Sequence, residues 1–87
     1  MLSRQEIMNR IYKVVEDKID KLPNNLTLKE DINLEEDLNL DSLDKIELWL
    51  GIEEEFVVDI PDEEVKKLIT FKDAIDLVIK YMEKKEC

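Results

Sequence analysis

The chain has 87 residues with 13 Lys and Arg against 23 Asp and Glu, a formal net charge of −10, no histidine, one cysteine and one glycine. One small domain, 1–87, follows from the length. The acidic balance disfavours nucleic acid as a partner, the missing histidines exclude imidazole catalysis and zinc ligation by His, and a lone Cys87 excludes an internal disulfide framework and suits a reducing compartment. No apolar run reaches the length of a membrane span, and Met1–Glu6 carries no signal-peptide apolar region. The scarcity of glycine and proline predicts an all-α domain, because hairpins and sandwiches need turn glycines.

The first helix is predicted from Ser3 to Asp20, where Ile7, Ile11, Val14, Val15 and Ile19 step by three and four. Ser3 and Glu6 have capping-box spacing, and Pro23-Asn24-Asn25 ends the segment. A long connection, 21–41, carries Leu22, Leu26, Leu28, Ile32, Leu34, Leu38 and Leu40. These leucines predict a segment pinned onto the helices, with a short helical turn after Thr27, which has a Glu three residues on. The second helix is expected over Ser42–Phe56, with Leu43, Ile46, Trp49, Leu50 and Phe56 sharing a face. Pro61 opens a short third helix with Asp62, Glu63 and Glu64 at its positive end. The last helix is expected over Phe71–Lys85, with Phe71, Ala74, Ile75, Val78 and Met82 inside and Lys80, Lys84 and Lys85 toward its C-terminal end. The sum is a four-helix bundle, three longer helices and a short one, with a long first connection.

Charge concentrates on the second half of the chain. Residues 41–64 hold ten acids and one base, whereas residues 65–87 hold four acids and six bases. A one-signed face is commonly just solvated, but it also steers basic partners.

The most informative stretch is Asp37-Leu38-Asn39-Leu40-Asp41-Ser42-Leu43-Asp44-Lys45-Ile46-Glu47-Leu48. A serine at a helix start presents an exposed hydroxyl beside unpaired N–H groups and the positive end of the helix dipole, where a phosphodiester is favourable. An arbitrary Ser42 or Asp41 in this position would more often simply cap the helix. Asp41-Ser42-Leu43-Asp44, followed by Glu53-Glu54-Glu55-Phe56, by Asp59-Ile60-Pro61-Asp62-Glu63-Glu64 and by Ala74-Ile75-Asp76, resembles the acyl carrier protein family of fatty-acid synthesis over roughly residues 30–82.

The resemblance implies a carrier rather than an enzyme, and the chain offers no nucleophile–base pair to contradict that. It implies 4′-phosphopantetheine on Ser42, transferred from coenzyme A by a phosphopantetheinyl transferase, with the acyl chain held as a thioester at the end of the arm. It also implies that the bundle shelters the acyl chain, and Ile46, Leu50, Phe56, Ile60, Leu68, Ile75 and Val78 are the candidates for that pocket, each equally at home as ordinary core. Burial of the chain supplies about 0.8 kcal/mol per CH₂. Asp41, Asp44, Glu47, Glu53 and Glu54 match the acidic recognition positions for basic surfaces on the transferase and on fatty-acid synthesis enzymes, with Leu43 and Ile46 adding apolar contact. Single exposed ion pairs are weak, so docking is expected to be transient and salt-sensitive. A cytoplasmic monomer is the natural reading, or an organellar protein if a targeting segment has been removed.

The chain departs from the family at four places. Asn39-Leu40 stands where many members have Gly before a small or aliphatic residue, and Asn suits the left-handed backbone of that turn. Gly51 replaces a usual alanine, at a cost of about 1 kcal/mol in helix propensity, and would admit a partner closely or leave room for cargo. Trp49 stands where a small aliphatic residue or methionine is common, and would shrink or line the pocket if buried or touch a partner if exposed. Lys45 puts a positive charge where a neutral residue is usual.

Other readings are an acylated interaction subunit of organellar type and a carrier for polyketide, aminoacyl or D-alanyl cargo. A calcium loop opening at Asp37-x-Asn39-x-Asp41 fails because Ser42 occupies the glycine position and Leu48 the twelfth, so no metal site is expected.

Overall fold

The computed structural model describes residues 2–19 and 27–86. Four helices follow in chain order: α1 (Arg4–Lys18), α2 (Ser42–Phe56), α3 (Asp62–Val65) and α4 (Phe71–Glu86). The all-α bundle with one short helix is therefore as expected, and α2 has the expected bounds. Asp20, Leu22, Pro23, Asn24, Asn25, Leu26 and Cys87 lie outside the described residues.

Helix α1 begins where Ser3 Oγ accepts the Glu6 N–H at 3.2 Å, which removes one of the unpaired donors of the first turn. Its stripe of Ile7, Ile11, Val14, Val15 and Ile19 is buried, and Met8 joins it. In α4, Phe71, Ala74, Ile75 and Val78 are fully buried, while Met82 is half-buried at the edge. Thr70 and Asp73 cap the start of α4 reciprocally: Asp73 Oδ2 accepts the Thr70 N–H at 3.1 Å and Thr70 Oγ1 accepts the Asp73 N–H at 3.3 Å.

The connection is pinned as expected, but by more than its leucines. Ile32, Leu34, Leu38 and Leu40 are buried and Leu28 is half-buried. In addition, Leu34 N–H donates to Ile69 O at 2.8 Å, Phe71 N–H to Ile32 O at 3.1 Å and Lys72 N–H to Glu30 O at 2.8 Å. These bonds surround an isolated antiparallel bridge between Asn33 and Thr70. Backbone groups of a segment lying over the core must find partners, and the run into α4 supplies them. The short helical turn expected after Thr27 is reduced to one hydrogen-bonded turn at Glu30 and Asp31, where the Ile32 N–H donates to Lys29 O at 3.3 Å. Arg4 closes the same corner, with bonds of 2.6 Å to Glu30 Oε1 and 2.8 Å to Asp76 Oδ1. These bonds raise the Arg4 pKa and hold the Glu30 carboxyl below its usual range.

The expected face of α2 is corrected. Trp49 and Phe56 are buried together with Leu48 and Ile52, whereas Leu43, Ile46 and Leu50 are 64%, 53% and 56% exposed. Helix α2 is apolar on two sides, and the sequence pattern alone did not choose between them. Close contact with α1 chooses. An added Cβ at Gly51 would lie 2.5 Å from Val14 Cγ1, so the glycine serves the α1–α2 packing rather than a partner or cargo. None of the helices among the described residues is long and apolar enough to cross a membrane.

Candidate functional site at the start of helix α2

The turn into α2 is built by backbone geometry that the sequence anticipates. Asn39 adopts φ 57°, the left-handed conformation expected of it. The chain then reaches Asp41, whose Oδ1 accepts the Asp44 N–H at 2.8 Å while Asp44 Oδ2 accepts the Asp41 N–H at 3.2 Å. This reciprocal pair is a complete capping box. Its effect on Ser42 is direct. With capping assigned to Asp41, the Ser42 side chain is exposed at the first position of the helix and is hydrogen-bonded to none of the described residues. It stands beside first-turn N–H groups at the positive end of a 15-residue helix.

Asp37, which the sequence also offered as a metal-loop residue, accepts the Asn33 N–H at 2.8 Å. Asn33 Oδ1 in turn accepts the N–H groups of Glu35 and Glu36 at 3.0 and 2.9 Å. These carboxyl and amide groups brace the loop that leads to Ser42.

Beside Ser42 an open cavity of about 450 Å³ lies between the first turns of α2 and helix α3. Ser42, Lys45 and Ile46 form one wall, Asp62, Val65 and Lys66 the other, and Glu35 reaches its edge. Lys45 is largely buried along this wall and pairs with Glu35, while its Nζ also reaches Leu68 O at 3.4 Å. The unusual lysine thus ties α2 to the connection and to the segment after α3. Spacing of three and four residues from Ser42 places Lys45 and Ile46 here, and that signal was present in the sequence. Val65, Lys66 and Asp62 were missed, because only the tertiary fold sets α3 against α2.

Of the pocket candidates, Ile46 lines the cavity. Phe56, Ile60, Leu68, Ile75 and Val78 are closed inside the core, from 7% exposed at Phe56 to 0% at Ile75 and Val78. Leu50 is exposed and outside both. Trp49 is buried, 3% exposed, and does not line the cavity.

The docking candidates divide into two groups. Leu43, Ile46, Glu47 and Glu54 are exposed on α2, with Leu43, Ile46 and Leu50 forming an outward apolar strip between acids. Asp41 and Asp44 are engaged in the cap. Glu53 is half-buried, and its Oε2 accepts the Ile60 N–H at 3.2 Å, fixing the turn that leaves α2.

No protein-family model matches the chain. It is 39% identical over 81 residues to an acyl carrier protein of Thermosynechococcus vestitus, covering 88% of this chain and 93% of that relative. The chain belongs to the acyl carrier protein family. A second relative of that name, from Rubrobacter xylanophilus, is 35% identical over 84 residues, covering 92% of this chain and 96% of its own length. The crystal structure of an acyl carrier protein from Thermotoga maritima superposes with a TM-score of 0.81 at 34% identity, covering 93% of this chain and 92% of that one. The carrier family and its helical bundle, first suggested by the residues around Ser42, are thus established, and the chain has the role of an acyl carrier.

Proposed function

We propose that Ser42 bears 4′-phosphopantetheine and that the protein delivers acyl chains to the enzymes of fatty-acid synthesis. The observation that carries this reading is the exposed Ser42 hydroxyl, left outside the capping box at the N-terminus of α2 and bordering an open cavity. The surroundings fit the group. A phosphodiester at Ser42 Oγ would meet first-turn N–H donors and the dipole of α2, and Lys45 and Lys66 line the neighbouring cavity. When bound, the arm supplies a terminal thiol that holds an acyl chain as a thioester.

The protein's own residues do the rest. Asp41 and Asp44 hold the helix start in one conformation, so that the serine hydroxyl is offered at a fixed place. The cavity wall at Ile46 and Val65 gives apolar chain a first surface to cover. Phe56, Ile60, Leu68, Ile75 and Val78 lie behind it, and a longer chain would reach them by parting α2 from α3, gaining about 0.8 kcal/mol per buried CH₂. Outside, Leu43 and Ile46 with Glu47 and Glu54 form an apolar strip edged with acids. That arrangement suits basic docking surfaces on a phosphopantetheinyl transferase and on synthesis enzymes, with Asp41, Asp44 and Glu53 adding charge behind it. The reading includes one carrier domain over 1–87, working as a monomer without catalytic residues of its own. A cytoplasmic setting is supported by the bacterial relatives.

Intact mass after incubation with coenzyme A and a phosphopantetheinyl transferase tests the proposal. Wild type gains the mass of one arm and Ser42→Ala gains none. Modification at another residue, or none on a folded wild-type protein, would overturn it.

A further inference from the structure

Trp49 presents an anomaly inside an otherwise apolar interior. It is 3% exposed, and its Nε1 is buried with no hydrogen-bond partner among the described residues. The buried set among those residues contains no polar or charged residue. A buried donor without a partner has given up its water and received nothing back, and native structures rarely leave one so. Tryptophan in a core ordinarily finds a partner for that N–H.

Its position on α2 gives the anomaly a direction. Residues 42, 45, 46 and 49 follow the spacing of three, four and seven that keeps them on one side of a helix. The first three line the cavity, and Trp49 comes next along the same side, one turn deeper. Whatever moves from Ser42 down this side of α2 into the core therefore comes to the indole after passing Ile46.

We propose that Trp49 is a specificity residue of this carrier, whose indole N–H donates a hydrogen bond to a hydroxyl or keto oxygen on the bound acyl chain. The inference rests on the reading of Ser42 as the attachment point and adds the class of cargo. A plain hydrocarbon chain covers the ring and leaves the N–H unpaired. An oxygenated chain pairs it, and in turn finds a donor for an oxygen that the apolar core would otherwise leave stranded. Sites that hold a donor for a cargo oxygen discriminate against cargo lacking it, because the donor is then left unsatisfied. The expected preference is about five- to tenfold, the size of one neutral hydrogen bond.

The test uses the ¹⁵N-labelled full chain carrying at Ser42 a 4′-phosphopantetheine arm whose thiol is acylated with hexanoyl, 3-hydroxyhexanoyl, 3-oxohexanoyl or 5-oxohexanoyl, with loading confirmed by intact mass. The sequence has one tryptophan, so its indole N–H signal is unambiguous. At least one oxygenated chain is expected to move the indole proton downfield and slow its exchange relative to hexanoyl. In parallel, hydroxylamine should release that oxygenated chain about fivefold more slowly from wild type than from Trp49→Phe, with hexanoyl released alike from both. Equal indole shifts for all four chains on loaded protein would overturn this proposal and leave the Ser42 assignment standing. Failure to load at Ser42 would overturn both. The wild-type resonances decide the matter even if Trp49→Phe does not fold.

Discussion

Gly51 offers the sharpest test of how α1 and α2 are fitted together. By helix propensity alone, Gly51→Ala should stabilise α2 by about 1 kcal/mol. The structure opposes this. The new methyl would sit 2.5 Å from Val14 Cγ1 and 3.3 Å from Lys18 Cε, whereas carbon atoms in contact normally stand about 3.5–4.0 Å apart. Lys18 is exposed and its end can swing aside. Val14 is 7% exposed and, being β-branched in a helix, is held to one side-chain rotamer. Overpacking of this kind costs about 1–3 kcal/mol, so the net effect is a loss of about 1 kcal/mol. For a domain of this size that lowers Tm by roughly 4–8 °C. In a Val14→Ala background the clash is gone, and Gly51→Ala should then stabilise by up to about 1 kcal/mol, a coupling of about 2 kcal/mol. Urea unfolding followed by emission of the buried Trp49 reads all four variants. If Gly51→Ala stabilised the wild-type protein, or acted identically in both backgrounds, the packing argument would be refuted.

Val57 ends α2 at φ 53°, ψ 52°, with its side chain 67% exposed. A β-branched residue is strained there, so Val57→Gly should stabilise by about 1 kcal/mol, seen as a higher urea midpoint at unchanged slope. Asp41→Ala should cost about 1 kcal/mol through loss of the helix cap, while Ser42→Ala leaves stability nearly unchanged; thermal melts of the two variants separate the capping residue from the attachment residue. The pH dependence has a defined sign. Hydrogen bonds from Arg4 and from Lys80 hold the carboxyls of Glu30 and Glu64, respectively, below the ordinary glutamate value. Each contribution is therefore fully present above that value and is lost as pH falls below it through the depressed folded pKa. Glu30→Gln and Glu64→Gln should each flatten the acid limb of a Tm-against-pH curve, and the Lys80 side of its pair, whose pKa is raised, should weaken only in strong alkali, as pH rises through that raised value.

The sequence by itself determined the helices, the left-handed turn at Asn39 and the serine at the head of α2, because these depend on periodicity, capping chemistry and backbone sterics within a few residues. It also carried the family, since the motif around Ser42 and the acidic stretches after it are local strings. Which side of α2 turns inward was decided only by tertiary structure. Leu43, Ile46 and Leu50 are as apolar as Leu48, Ile52 and Phe56, and the choice falls to the close approach of Val14 on Gly51. The same holds for the cavity. Lys45 and Ile46 are neighbours of Ser42 by helical spacing, but Asp62, Val65 and Lys66 face them only because the chain folds back after Val57. The pinning of the connection by backbone bonds between residues 30–34 and 69–72 was likewise invisible, since hydrogen bonds of that kind are indifferent to side-chain identity and leave no mark in the residues that make them.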